Sequence, residues 1–254
     1  MKTTMMRTIL AAVAIGFAAP ALAAGDTATP PAQKWSFNGP FGTYDRAELQ
    51  RGYQVYKEVC AACHAMKYAA FRNLRDVGFS EAEVKALAAT FEVNDGPNDQ
   101  GEMFKRPGLP SDKFPSPFPN EKAARASNGG AYPLDLSLIA KARAHGPDYI
   151  RALLTGYKDA PAGFTLGEGL NYNEYFAGHQ IAMPQPLNAD QVTYADGTKA
   201  SVEQMAHDVS AFLMWAAEPK LEDRKRMGFK VMIFLVVLTG LFFAAKKRIW
   251  AKLH

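Results

Sequence analysis

The sequence predicts an all-α domain with long irregular loops, carried on one C-terminal transmembrane helix. Three observations predict it. Several segments repeat apolar residues at three- and four-residue steps, the period of an amphipathic helix, and two of them open on capping-box residues. Between the helical segments, residues 92–134 and 157–198 are rich in Pro, Gly and Asn and hold no sustained period. Near the end, Gly228 to Ala245 is apolar or weakly polar apart from Lys230, and about 18 residues are just enough to cross the hydrocarbon core of a bilayer.

In chain order, residues 1–23 read as a secretory signal. Lys2 and Arg7 make its positive start, Ile9 to Ala18 its apolar run, and Ala21-Leu22-Ala23 its cleavage site. Residues 25–42 are an extended arm, with Trp35 and Phe37 able to pack on the head. From Asp45 to Glu58 the spacing of Leu49, Tyr53 and Tyr56 predicts a helix. Ser80-Glu81-Ala82-Glu83 caps a second, with Val84, Leu87 and Phe91 on its apolar face. The 92–134 stretch is expected to be a loop excursion, and loops that long inside a domain usually serve function. Asp135 to Ala144 predicts a short helix. Pro147 opens the next, which carries Ile150, Leu153 and Leu154 and ends at Gly156. Ser201-Val202-Glu203-Gln204 is a second capping box, and its helix runs to Pro219. The head is thus residues 24–219, the anchor 228–245 and the tail 246–254. Basic clusters flank the anchor, Arg224-Lys225-Arg226 before it and Lys246-Lys247-Arg248 after it. Their counts do not set orientation. The signal does, by exporting the head and leaving the tail in the cytoplasm.

The 254 residues are 48% hydrophobic and 21% charged, which fits one globular domain with accessory segments. The net charge of +4 hides a split: residues 24–219 carry 18 basic and 23 acidic side chains, while the basic excess lies beside the anchor. That distribution gives no nucleic-acid surface and does give a membrane-facing one.

Cys60-Ala61-Ala62-Cys63-His64 is the attachment signature of a c-type haem. Each thiol adds across one vinyl group of the porphyrin, and the next residue is carried under the ring, where its imidazole can ligate iron. Zinc would need further thiolates, and Cys60 and Cys63 are the only cysteines. A redox dithiol would sit in a βαβ pattern, which is absent. One covalent haem c follows. Its other axial position decides the chemistry: open iron binds gas or catalyses, whereas iron closed by Met or His transfers electrons. By position Met183, Met103 and His179 are the candidates. Met183 lies in His179-Gln180-Ile181-Ala182-Met183-Pro184-Gln185-Pro186, where prolines restrict the loop and suit a weak thioether ligand.

The chain resembles the cytochrome c1 family over nearly all its mature length. The resemblance runs through the haem motif, Asn94-Asp95-Gly96-Pro97, Gly101-Glu102-Met103-Phe104, Arg106-Pro107-Gly108, Pro133-Leu134-Asp135-Leu136-Ser137, Leu154-Thr155-Gly156-Tyr157 and Trp215-Ala216-Ala217-Glu218-Pro219, followed by one anchor. The resemblance implies a cytochrome c-like haem domain, Met183 as sixth ligand and Arg106 as partner of a haem propionate. It also implies cytochrome b, the Rieske iron–sulfur protein and a soluble cytochrome c as partners. It places the chain in the bacterial inner membrane with the haem domain in the periplasm. The rival is a membrane-anchored cytochrome serving another dehydrogenase or oxidase, and the motifs outside the haem signature argue against it. As a single chain it is an electron carrier without a bond-making site; the enzyme is the complex. Glu92, Asp95, Asp99 and Glu102 form an acidic stretch suited to steering a basic cytochrome c.

Overall fold

In the computed structural model, which describes residues 28–251, helix α1 (Arg46–Glu58) starts where Asp45 accepts from the backbone N–H groups of Ala47 and Glu48. Leu49, Tyr53 and Tyr56 are buried on it, as their spacing predicts. A 3-10 turn, Cys60–Ala62, follows directly. A second, Phe71–Asn73, leads into α2 (Leu74–Val77). Helix α3 (Glu81–Ala89) has its capping box fully formed: Glu83 N donates to Ser80 Oγ at 3.3 Å, and Ser80 N donates to the Glu83 carboxylate at 2.8 Å. The predicted leader, residues 1–23, and the tail's end, including His254, lie outside the described residues.

The 92–134 stretch is not all loop. Strands β1 (Glu92–Asp95) and β2 (Phe104–Pro107) form an antiparallel ribbon, with Glu92 opposite Pro107 and Asp95 opposite Phe104. Helix α4 (Glu121–Ser127) starts at Asn120. The strands are short and largely exposed, so no alternation of apolar and polar residues announces them. Helix α5 (Ile139–Ala142) is shorter than the predicted 135–144, because Asp135 and Ser137 are occupied elsewhere. Helix α6 (Pro147–Thr155) has Pro147 in its first turn and Gly156 as its C-cap. A small ribbon, β3 (Asn171–Tyr172) with β4 (Gln180–Ile181), precedes α7 (Val202–Ala217). Ser201 caps α7 by accepting from Gln204 N, but the predicted box is half made: the Gln204 amide donates to Asp208 instead, at 3.0 Å.

The core centres on α7, against which α1, α6 and α5 pack. Its buried face is Met205, Ala206, Val209, Phe212, Leu213 and Trp215. Helices α1 and α7 cross at Gly52, where a Cβ would lie 2.1 Å from Asp208 O and 2.6 Å from Phe212 Cβ. The crossing also buries Asp208, which accepts from Arg51 Nε and Nη2 at 3.0 Å each. Trp35 and Phe37 pack on the head as predicted. Trp35 stacks on His207 with ring centroids 4.4 Å apart and donates from Nε1 to Asp148 at 2.7 Å. His207 in turn lies 2.9 Å from buried Glu48, which accounts for it.

The anchor is longer than the apolar run. Helix α8 (Leu221–Trp250) has 30 residues. At 1.5 Å per residue it is about 45 Å long, against about 30 Å of hydrocarbon. Its first turns belong to the head. Leu221 is buried, Glu222 accepts from both Nη atoms of Arg46 and from Tyr44 N, and Arg224 pairs with Glu218.

Candidate haem site

The haem motif is held at the end of α1 by a tight turn: Cys63 N and His64 N both donate to Cys60 O, at 3.1 and 2.8 Å. This half-buries Cys60 and leaves Cys63 exposed, both as free thiols. Burial and the neighbouring Cys63 push the Cys60 thiol up to about 12. A redox dithiol needs the opposite shift, toward thiolate near neutral pH. The Cys60 thiol therefore lacks the activation of a redox dithiol.

His64 Nδ1 lies 2.7 Å from the carbonyl oxygen of Leu134. A carbonyl only accepts, so Nδ1 carries the proton and Nε2 presents its lone pair. Burial also lowers the imidazolium pKa, which keeps the ring neutral near pH 7. This is the arrangement an iron ligand needs: one nitrogen anchored, the other basic.

The segment that supplies Leu134 O is fastened to the residues after His64. Leu136 N donates to Ala65 O at 2.8 Å, Lys67 N to Asp135 Oδ2 at 3.0 Å, and Tyr68 N to Ser137 Oγ at 3.1 Å. Asp135 Oδ1 takes Ser137 N. Every polar residue of Pro133-Leu134-Asp135-Leu136-Ser137 is thus used to align one carbonyl under the histidine. A second segment is fixed in the same way: Phe71 N donates to Asp112 O and Arg72 N to Pro110 O. On or next to these fastened segments, Tyr68, Leu109, Leu134 and Leu138 remain exposed. Exposed apolar side chains on segments tied to the haem motif fit a large apolar ring, which would cover such surface.

Met183 is half-buried and follows β4. Its carbonyl accepts from Tyr157 Oη at 3.0 Å and from Asn171 Nδ2 at 3.4 Å. Asn173, fully buried, ties this ribbon to α6: Nδ2 donates to Leu153 O at 2.8 Å, and Oδ1 accepts from Tyr175 N and Phe176 N. Gly156 allows the approach, since a Cβ there would lie 2.6 Å from Tyr175 Cδ2. These contacts give physical content to Leu154-Thr155-Gly156-Tyr157. The phenol that ends the motif holds the Met183 loop.

His179 sits on the same ribbon at φ 58, with its ring stacked on Tyr172 at 5.6 Å and Nδ1 3.3 Å from Asn173 O. Met103 is exposed between β1 and β2. Arg106, on β2, is held by carboxylates. Nε pairs with Asp95, Nη1 donates to Asp112 at 2.6 Å and to Pro107 O at 3.1 Å, and Nη2 donates to Asp112 at 3.1 Å. One Nη2 hydrogen is left over from five donors. Both carboxyls lie below their usual range because they accept from this guanidinium. Gly108 beside it has no room for a Cβ, which would lie 2.6 Å from Ala88 O. In the acidic stretch, Glu92 is likewise paired with Lys105 at 3.0 Å, so Asp99 and Glu102 are the carboxylates without a cross-strand cation. Leu134 O, Tyr157, Asn171 and Asn173 are the positioning groups that residue-by-residue reading misses. Their only sequence signal is membership of the ordered motifs.

Comparison with known proteins gives the family. A profile of the Cytochrome C1 family matches residues 35–253. Cytochrome c1 of Rhodospirillum rubrum is 50% identical over 98% of this chain and 98% of its own. A mitochondrial cytochrome c1 heme protein of Arabidopsis thaliana is 54% identical over 88% of this chain and 73% of its own. The cytochrome b/c1 protein of Bradyrhizobium diazoefficiens is 53% identical over 89% of this chain, which spans 36% of that longer protein. The chain belongs to the cytochrome c1 family, the haem-bearing electron-transfer subunits of the cytochrome bc1 complex.

Proposed function

We propose that this chain accepts one electron from the Rieske iron–sulfur protein and passes it to a soluble cytochrome c. Cys60 and Cys63 would hold one haem c by thioethers, and His64 and Met183 would ligate its iron. The observation that carries the reading is His64: its Nδ1 proton is committed to Leu134 O, 70 residues away, directly after two free thiols on one turn. Haem c supplies a one-electron couple when bound. The chain's residues do the rest. Leu134 O, by accepting the Nδ1–H, raises the basicity of His64 Nε2, the nitrogen that would ligate iron. Tyr157 and Asn171 hold the Met183 loop by its carbonyl. Arg106 fixes the 109–113 segment through Asp112 and offers its remaining N–H to a propionate. With His64 and Met183 both available to ligate its iron, the haem group would exchange electrons and make no bond to a substrate.

The leader over residues 1–23 exports the head. The span at 228–245 holds it at the outer face of the inner membrane beside cytochrome b, with the tail in the cytoplasm. The test is purification from native membrane with subunit identification, followed by stopped-flow reduction by quinol and oxidation by cytochrome c. Met183→Leu should abolish the sulfur-to-iron charge-transfer band of the ferric form and let the ferrous form bind carbon monoxide. A variant that keeps the band assigns the sixth ligand elsewhere. Reporter fusions before Lys220 and after His254 should read periplasm and cytoplasm; the reverse refutes the orientation.

A further inference from the structure

The turn between the arm and α1 exposes an apolar ring that the haem chemistry does not use. Phe41 is 76% exposed, yet its ring meets Phe229 of α8 edge-on, with centroids 5.8 Å apart and planes at 72°. Phe229 is the second residue of the apolar run that begins at Gly228. The turn is fixed on both sides. Phe37 and Tyr44 are buried in the head, Asn38 N donates to Trp35 O, and Gly39 has φ 72. Gly42 admits no side chain, since a Cβ would lie 2.0 Å from Asn38 O. Lys225 Nζ donates to Phe37 O at 2.6 Å and to Gly42 O at 3.0 Å, clamping both ends of the turn to α8.

These contacts set a level along the helix. Lys225 lies in the basic cluster Arg224-Lys225-Arg226, which belongs with lipid headgroups. Phe229 is one turn further in, about 6 Å at 1.5 Å per residue. Phe41 touches Phe229, so it reaches the same depth. No charged side chain occurs from Ser36 to Gly42 to oppose entry. We propose that Phe41 is a second membrane contact of the head: its ring enters the acyl-chain boundary of the leaflet on the head's side, beside Phe229. The turn clamped by Lys225 then fixes the tilt of the haem domain against the bilayer. A single helix would leave that tilt free to pivot. An aromatic ring buried at the boundary resists pivoting through the same apolar transfer that holds interfacial aromatics.

The partner is the lipid, because Phe41 meets α8 where its apolar run begins, one turn past the basic cluster. The test places a nitroxide at Phe41→Cys in the full-length, haem-loaded protein within its complex, in phospholipid vesicles. Ala126→Cys on α4 is the aqueous reference. The expected result is a gain in accessibility to molecular oxygen and a loss to a water-soluble nickel chelate at position 41 relative to 126. Equal accessibilities at the two positions overturn the proposal. Shielding of position 41 from both reagents also overturns it, since a protein partner then covers the ring. If the added cysteine impairs haem attachment, Phe41→Trp in lipids brominated on the acyl chains reads the same contact. Its extra emission over the parent should be quenched, and unquenched emission overturns the proposal.

Discussion

Tyr157→Phe tests whether the Met183 loop is held through its backbone. The substitution keeps the ring and removes one hydroxyl, which donates to Met183 O at 3.0 Å. What remains at that carbonyl is Asn171 Nδ2 at 3.4 Å, a long contact. Losing a neutral hydrogen bond of this kind, with its acceptor left poorly satisfied, costs about 1–2 kcal/mol. That raises the population with the Met183 loop detached by a factor of about 5–30. The ferric spectrum should stay six-coordinate, because the detached fraction remains small. Carbon monoxide enters the ferrous form only when Met183 is away, so its association rate should rise by the same factor of about 5–30. The control is the double variant. With Met183→Leu already in place, Tyr157→Phe should add almost nothing, since the two act on one contact. If Tyr157→Phe leaves the carbon monoxide rate at the parent value while Met183→Leu accelerates it, Tyr157 does not govern the ligand loop.

Other consequences follow from the packing and the charges. Gly52→Ala places a Cβ against Asp208 O and should cost about 3 kcal/mol, lowering Tm by roughly 6–12 °C with the haem spectrum unchanged; an unaltered Tm would mean that α1 and α7 can part there. Arg106 holds the Asp112 carboxyl below its ordinary 3.8, so the pair contributes stability above that pH and loses it as pH falls through the depressed value. Asp112→Asn should therefore lower stability at neutral pH and flatten the loss on acidification below about pH 4, as followed by denaturant titration; parallel pH profiles would refute the linkage. Asp99→Asn with Glu102→Gln should slow reduction of a basic cytochrome c at low salt, with the difference fading as salt rises. Rates equal to the parent's across a salt series would remove this loop from the docking site.

What the sequence determined by itself was local. The spacing of Cys60, Cys63 and His64 is a covalent requirement met within five residues. Ser80 with Glu83 and Pro147 set helix starts within one turn, and Leu49, Tyr53 and Tyr56 repeat on a period fixed by backbone geometry. The apolar run of α8 marks a membrane helix by length alone, though it does not reveal that the helix begins at Leu221, because residues 222–226 are charged, and it is the head that buries Leu221 and pairs Glu222, Arg224 and Lys225. Tertiary structure decided the rest. The group that fixes the His64 tautomer is a backbone carbonyl, and a carbonyl has no residue identity to read. Tyr157 reaches Met183 across 26 positions, Gln204 leaves its cap for Asp208, and Arg106 divides its donors between Asp95 and Asp112. Each of these outcomes depends on which acceptor the fold brings within about 3 Å, and hydrogen bonding at that range is blind to distance along the chain.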